Sequence, residues 1–351
     1  MKLPVLIFTL ALAAALAPDS SARQRAARGA EPAGRDAVER RAAAAPEVSV
    51  ALCLNQGDVV VRGWDRPEVQ ARAEGVSGLR LQPTGGEPAR RIEVLVSGPA
   101  GDKVSFADCG SAGSVELSVP RGASVSLTTR SGHTEVSGVA EVRVDAFSGD
   151  VGISRVARSV EVSSLSGDVS VTDSAGRVRL RAVSGGIEAS RLRRLGDNDV
   201  LDVSSTSGEV LLRDVSYTRV RGATISGDVE VSGELARGGS YEFKTISGDV
   251  TLSLPANSSF RLYASVISNG EIVTDFPVTT APENGPPPAP PAPPVMVGPG
   301  RGHGRGRASG GPPAPPAPPG QTRLVGTVGA GDAELRISSF SGTLHLKRRQ
   351  Q

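Results

Sequence analysis

Two kinds of side chain in this sequence have both the chemistry and the spacing to suggest a site: acids that recur after Ser-Gly, and a single pair of cysteines. Asp150, Asp168, Asp228 and Asp249 each follow a Ser-Gly dipeptide, and Glu209 stands in the same place in a looser copy. Carboxylates held about 5 Å apart are the apparatus of a retaining glycosidase, and neighbouring carboxylates can bridge calcium. The acids, however, return with the period of the chain itself, which a repeated turn explains without a site. Asp commonly closes a turn through its own backbone bonds. Gly186 stands where the column would need another acid, and the Gly-rich nonapeptide of stacked calcium sites is absent. The expectation is therefore no catalytic residue, no metal and no cofactor, with Asp150, Asp168, Glu209, Asp228 and Asp249 as repeat turns.

Histidine chemistry fares no better. The 3 histidines are His133 in a repeat turn, His303 in a low-complexity stretch and His345 near the end of the chain. No two share a metal-ligand spacing, and no repeat serine stands in Gly-x-Ser-x-Gly. The 2 cysteines, Cys53 and Cys109, would meet an oxidising compartment after export. A bridge would close a loop of more than 50 residues and contribute about 3 to 4 kcal/mol on the chain-entropy model. The spacing is compatible with that bridge and with two buried thiols.

The elements that must carry these residues follow from the repeat. Ser-Gly-Asp-Val begins at Ser148, Ser166, Ser226 and Ser247, with looser copies at Ser131, Ser184 and Ser207; successive serines lie 17, 18, 18, 23, 19 and 21 residues apart. A period near 20 residues means one supersecondary unit stacked on its copies. Two positions before the serine the residue is small (Ala146, Ser164, Ala182, Ser205, Thr224, Thr245); one position before, it is mostly large and apolar (Phe147, Leu165, Val183, Thr206, Ile225, Ile246). Three and five positions after it come apolar residues such as Val169 and Val171. Period-two alternation on both sides of Gly-Asp predicts short half-buried strands. The adjacent small and large residues would face opposite ways on a straight strand, so a bend or bulge at Ser-Gly is expected to re-aim the chain. The fold class expected is all-β, a parallel β-helix or β-solenoid of about 20-residue coils with like residues stacked about 4.8 Å apart. An antiparallel β-sandwich is the alternative, because Gly-Asp is also a hairpin turn.

Composition sets the address. Met1-Lys2 and the apolar run Leu3 to Leu16 read as a secretory signal peptide, with cleavage after Ala17 or Ala22; an uncleaved anchor is the alternative. Net charge is +2 and aromatic content 3%, which argues against nucleic acid as a partner. The chain divides into a signal peptide at 1–22 and a flexible Ala/Arg-rich lead-in at 23–46, with a frayed helix around Asp36 to Ala45. A solenoid with divergent N-terminal coils follows at 47–280, then a Pro/Gly-rich disordered insertion at 281–320. A final coil with a basic tail occupies 321–351, and Lys347-Arg348-Arg349 would put charge on the open end.

The phrase Gly57-Asp58-Val59-Val60-Val61-Arg62-Gly63-Trp64-Asp65, then Val119-Pro120-Arg121-Gly122-Ala123, then the Ser-Gly-Asp-Val series, resembles the bacterial exported family labelled "putative adhesin", whose function is unknown. The likeness spans roughly 47–278 and 324–346. It implies a right-handed β-helix-like fold in the cell envelope, with no catalytic residues to carry over; the long insertion departs from the pattern. The function expected is non-enzymatic binding, adhesion or scaffolding by an exported protein, periplasmic, surface-exposed or secreted. Envelope polysaccharide or a protein would be the partner, and no transmembrane segment would remain after signal removal. A carbohydrate-active enzyme, a polysaccharide lyase or hydrolase on a β-helix, is the alternative.

Overall fold

Each repeat folds into a longer strand that ends at the serine and a shorter strand that starts after Gly-Asp, as in Ser159–Ser166 and Val169–Thr172. Longer strands pair in parallel with longer ones and shorter with shorter. Ser166 faces Ser148 on one side and Ser184 on the other, and Val169 faces Val151 and Ile187. The computed structural model describes residues 37–98, 109–268, 270–280 and 322–349. The expected signal peptide, the lead-in as far as Asp36 and the 281–320 insertion lie outside the described residues.

The parallel register excludes the sandwich alternative. The structure is all-β and a β-solenoid, with no helix among the described residues; in particular, none there is long and apolar enough to cross a membrane. Val160, Val162, Val169 and Val171 point inward and are buried, as are their counterparts along the stack as far as Leu344 and Leu346; in the outer coil Ile272 and Thr274 are half-buried. Each buried valine contributes about 1.5 to 3 kcal/mol by leaving water. The inner columns also compensate for volume: Gly222 stands beside Phe243 in adjacent coils, and a Cβ on Gly222 would come within 2.9 Å of the ring. Where the coils lengthen, the buried Tyr217 hydroxyl donates to the Gly176 carbonyl at 2.7 Å, and that of Tyr241 to the Tyr217 carbonyl. Burial raises the pKa of both phenols.

The corner between the two strands needs glycine. Gly149, Gly167, Gly185, Gly208, Gly227 and Gly248 all have φ between +113° and +154°. Their N–H groups donate to the serine carbonyl of the next coil at 3.0 to 3.2 Å. A Cβ on Gly167 would sit 2.4 Å from the Gly149 carbonyl oxygen, so glycine is demanded by conformation and by contact alike.

Three expectations are corrected. The stretch expected as flexible with a frayed helix, from Asp36 to Ala45, is strand from Val38 onward, because Val38 to Ala43 pair antiparallel with Glu68 to Ala73. That strand, Val38–Trp64, also runs on as an inner coil between the coil holding Ala89–Ser97 and Gly110–Pro120 and the one holding Ser124–Ser131 and Thr134–Ser137. The coil after the insertion, Ala333–Ser341 with Leu344–Arg349, is not the outermost one. It lies between Ser240–Ser247 with Val250–Pro255 and Phe260–Val266 with Ile272–Thr274. Lys347 to Arg349 run beside Ser253 to Pro255 on one side, while on the other side the neighbouring strand reaches only Leu346. The outer coil is covered on one strand by Thr322–Val328, which pairs antiparallel with Phe260–Val266.

Cys53 and Cys109 are joined in the structure, with Cα atoms 4.9 Å apart and a sequence separation of 56. The link ties the intercalated first strand to the neighbouring coil. We expect no mass gain when the denatured, non-reduced protein is alkylated; two labelled cysteines would show that the bridge is absent in solution. A Gly167→Ala substitution should cost about 2 to 3 kcal/mol in chemical denaturation. Gly196→Ala, where a Cβ meets nothing within 4 Å, should leave stability unchanged, and equal effects at the two positions would refute the stacked-corner account.

Candidate functional site

The corners arrange three side-chain columns on the outside of the solenoid, and each has its own chemistry. The first is the acid column. Asp150 Oδ1 accepts the N–H of Asp168 at 2.9 Å, Asp168 Oδ1 that of Gly186 at 2.7 Å, and Asp228 Oδ1 that of Asp249 at 2.8 Å. Asp58 does the same for His133, and Asp249 for Thr343. The expected cap within each residue's own turn is thus replaced by a cap on the next coil's turn. Each of these five carboxylates holds a backbone donor, which is structural work repeated from corner to corner; Glu209 stands exposed at its own corner, and Gly186 supplies no acid at the one before it. Among the described residues no group of His, Cys, Asp and Glu could hold a metal ion. His133 and His345 lie on different coils and do not converge.

The second column alternates in sign. Arg143, Glu161, Arg179, Asp202, Arg221, Glu242 and Arg336 occupy one register position on successive coils. Glu161 bridges Arg143 at 3.0 Å and Arg179 at 3.8 Å; Arg179 also reaches Asp202, and Arg221 reaches Glu242, both at 3.8 Å. A second run at the next corner, Arg155, Asp173, Arg191 and Asp214, alternates in the same way with φ between 51° and 54°. There Arg191 grips Asp173 with two bonds of 2.6 and 2.8 Å. That contact holds the Asp173 carboxyl below its ordinary value, and the Lys244 ammonium, aided by Arg221 and Arg336, lowers Glu242. In-register stacking would otherwise set like charge on like, which destabilises a pair of facing strands.

The third column is apolar and faces solvent. No bulge re-aims the chain before the serine: the strand's alternation simply continues. The small residue turns in, where Thr224 and Thr245 hydroxyls donate to the corner carbonyls of Gly208 and Gly227 at 3.2 Å. The large residue turns out. Phe147, Leu165, Val183, Ile225, Ile246 and Phe340 are 40% to 58% exposed. Ile267 joins them, since Val266 faces Ser339 and the Ser268 N–H donates to the Phe340 carbonyl. Of nine exposed large apolar residues among those described, seven lie in this one column, so it is not scattered surface. In spatial order it runs Phe147, Leu165, Val183, Thr206, Ile225, Ile246, Phe340, Ile267, and Arg130 and Asn55 stand below its foot. A groove of about 450 Å³ opens beside that foot, lined by Leu54, Cys109, Thr129, Ala146, Phe147 and Leu165 among others. None of the five repeat-turn acids lines it.

Residues 109–282 match the family model described as Toastrack DUF4097. The match covers the Ser-Gly-Asp-Val series and bears out the resemblance to a family of "putative adhesins" of unknown function. It begins at Cys109, so the N-terminal coils and the coil after the insertion lie outside the Toastrack region. Solved structures similar to this chain include a "putative cell adhesion protein" from Clostridium sporogenes, 10% identical over 90% of this chain and 100% of that one, with a TM-score of 0.22. Another is a "putative adhesin" from Parabacteroides distasonis, 11% identical over 63% and 91%, TM-score 0.44. A third, from Parabacteroides merdae, is 9% identical over 63% and 90%, TM-score 0.32. No curated protein matches the sequence.

The sequence alignment of the repeats exposed the apolar column but gave it no role, and it missed Ile267. The signal for Ile267 is present all the same: an apolar residue directly before a serine, with Gly270 two positions later. The alternation of charge was legible in the same alignment five positions before each serine. Glu161→Lys would place a cation between Arg143 and Arg179; we expect a lower melting temperature at low salt, by the equivalent of about 1 kcal/mol, largely recovered in high salt. A loss that ignores salt would contradict the electrostatic account. The lowered carboxyls Asp173 and Glu242 contribute stability that is present above their ordinary values and is lost as the pH falls through the lowered ones.

Proposed function

We propose that this chain is an exported cell-envelope β-solenoid that works by binding or scaffolding, and that it is not an enzyme. The observation that carries the proposal is the apolar column: seven large side chains left in solvent on one line of the fold, where folding itself asks only for an outward-facing residue. Contiguous exposed apolar surface marks interaction sites in proteins that otherwise keep such groups apart. An enzyme on this fold would need a singular cluster of acids and bases in a cleft. The acids in the turns are instead repeated and mostly engaged with backbone amides.

The signal peptide at 1–22 would deliver the protein across the membrane, and the Pro-rich insertion at 281–320 would act as a tether or contact point for an acidic polymer. Adhesion is the form of binding that the family resemblance implies.

Fractionation with protease shaving tests the address, and a Leu165→Glu, Ile225→Glu double variant tests the surface. We expect the wild-type protein in the envelope fraction and the variant, equally stable, released from it. Polysaccharide cleavage that disappears in Asp150→Asn, Asp168→Asn would instead make the protein an enzyme.

A further inference from the structure

The apolar column is long, one-sided in its flanking charge, and built from side chains whose own symmetry selects a partner. We infer that it is the contact line of a homodimer in which a second copy lies alongside, with the two solenoids parallel about a twofold axis that runs along the column. This rests on the column being a binding surface, as proposed above, and names what it binds.

The first argument is area. From Phe147 to Ile267 the column spans eight coils, or about 34 Å at 4.8 Å per step. A stable interface takes about 800 Å² from each partner, so a strip of this length needs a width of only about 24 Å. That is the span of about seven extended residues. From the alternating-charge column, across the apolar one, to the turn acids is seven residue positions with the glycine corner between them, so the required surface is drawn from both sides of that corner.

The second argument is charge. On the side after the serine, the columns two and four positions on carry the five turn acids together with Glu188 and Glu230, seven acids with no lysine or arginine among them. On the side before it, the columns three and five positions back carry six cations, Arg143, Arg179, Arg181, Arg221, Lys244 and Arg336, against four acids. The column therefore separates a strongly acidic flank from a mildly basic one.

Two face-to-face arrangements of identical copies have twofold symmetry, and they treat these flanks differently. A twofold across the column reverses one solenoid and sets the acidic flank against the acidic flank. A twofold along the column keeps the solenoids parallel and sets each acidic flank against the other copy's cationic face. Like-charge juxtaposition across an interface is a strong discriminator against the wrong arrangement. The parallel form also places every apolar residue against its own counterpart, so Phe147 meets Phe147, Phe340 meets Phe340 and the Thr206 step meets Thr206. A self-complementary patch of this kind is what a closed twofold dimer requires.

Sedimentation and cross-linking on the full mature chain test this. We expect the wild-type protein to sediment as a dimer, and an Ile225→Glu, Ile246→Glu variant as a monomer with an unchanged melting temperature, while Ile225→Leu remains a dimer. Under mild oxidation Phe340→Cys should form a covalent dimer with itself. A mixture of Phe340→Cys and Leu165→Cys should give each variant's own homodimer and no link between positions 340 and 165. A monomeric wild type, a dimer that survives the glutamates, or a preferred link between positions 340 and 165 would each overturn the inference. Loss of the same glutamate variant from the envelope, with a monomeric wild type, would overturn the dimer and leave the binding surface itself standing.

Discussion

Everything in this fold depends on the approach of one glycine corner to the next. The corner glycine donates its N–H to the serine carbonyl of the following coil, and its missing Cβ leaves room for the carbonyl oxygen of the preceding glycine. Once that contact is made, the register is fixed, because a one-residue slip would turn every inward valine to solvent. The Asp that follows reinforces it by accepting the neighbouring turn amide, so the corner is bonded twice between coils, through main chain and through side chain.

In-register stacking then dictates what each column can tolerate. Valine on valine gains from burial, and at the tight inner position Ser205, Thr224 and Thr245 donate to the corner carbonyls of Gly185, Gly208 and Gly227. A charge stacked on itself loses, so the outer columns either alternate in sign, as from Arg143 to Arg336, or engage the aspartates with backbone donors, as at Asp58, Asp150, Asp168, Asp228 and Asp249. The same rule explains how arginine and aspartate hold the left-handed corner at Arg155, Asp173, Arg191 and Asp214, where glycine would be the easier choice. The pairing available only to charged side chains offsets the cost of that backbone conformation.

Much of this was legible in the sequence, and two of the parts that were not share a cause. The period, the parallel stacking and the valine columns follow from residue types at fixed offsets from Ser-Gly. The strand at Val38 to Ala43 did not, since Ala and Arg carry little strand preference; its pairing with Glu68 to Ala73 is a tertiary constraint that overrides local propensity. The placement of the coil after the insertion between two earlier coils is likewise a matter of long-range topology. The direction of Phe147 has a different cause: it was legible as alternation but was obscured by expecting a bend or bulge at Ser-Gly to re-aim the chain.

That direction matters for how the apolar column is understood. The fold requires a small residue inward and a glycine at the corner; it places no demand on the outward residue before the serine beyond tolerance of an extended backbone. Thr206 fills that place without disturbing the coil around it, since its neighbours Ser205 and Ser207 keep the common register. A polar β-branched residue is therefore sufficient at this position, and strand preference alone would have been met by threonine throughout. Phenylalanine, leucine, valine and isoleucine at the other positions from Phe147 to Ile267 stay 40% to 58% exposed, apolar surface that costs the isolated solenoid solubility. Side chains that the fold does not need, repeated on one line and confined to it, are accounted for by what meets that line from outside.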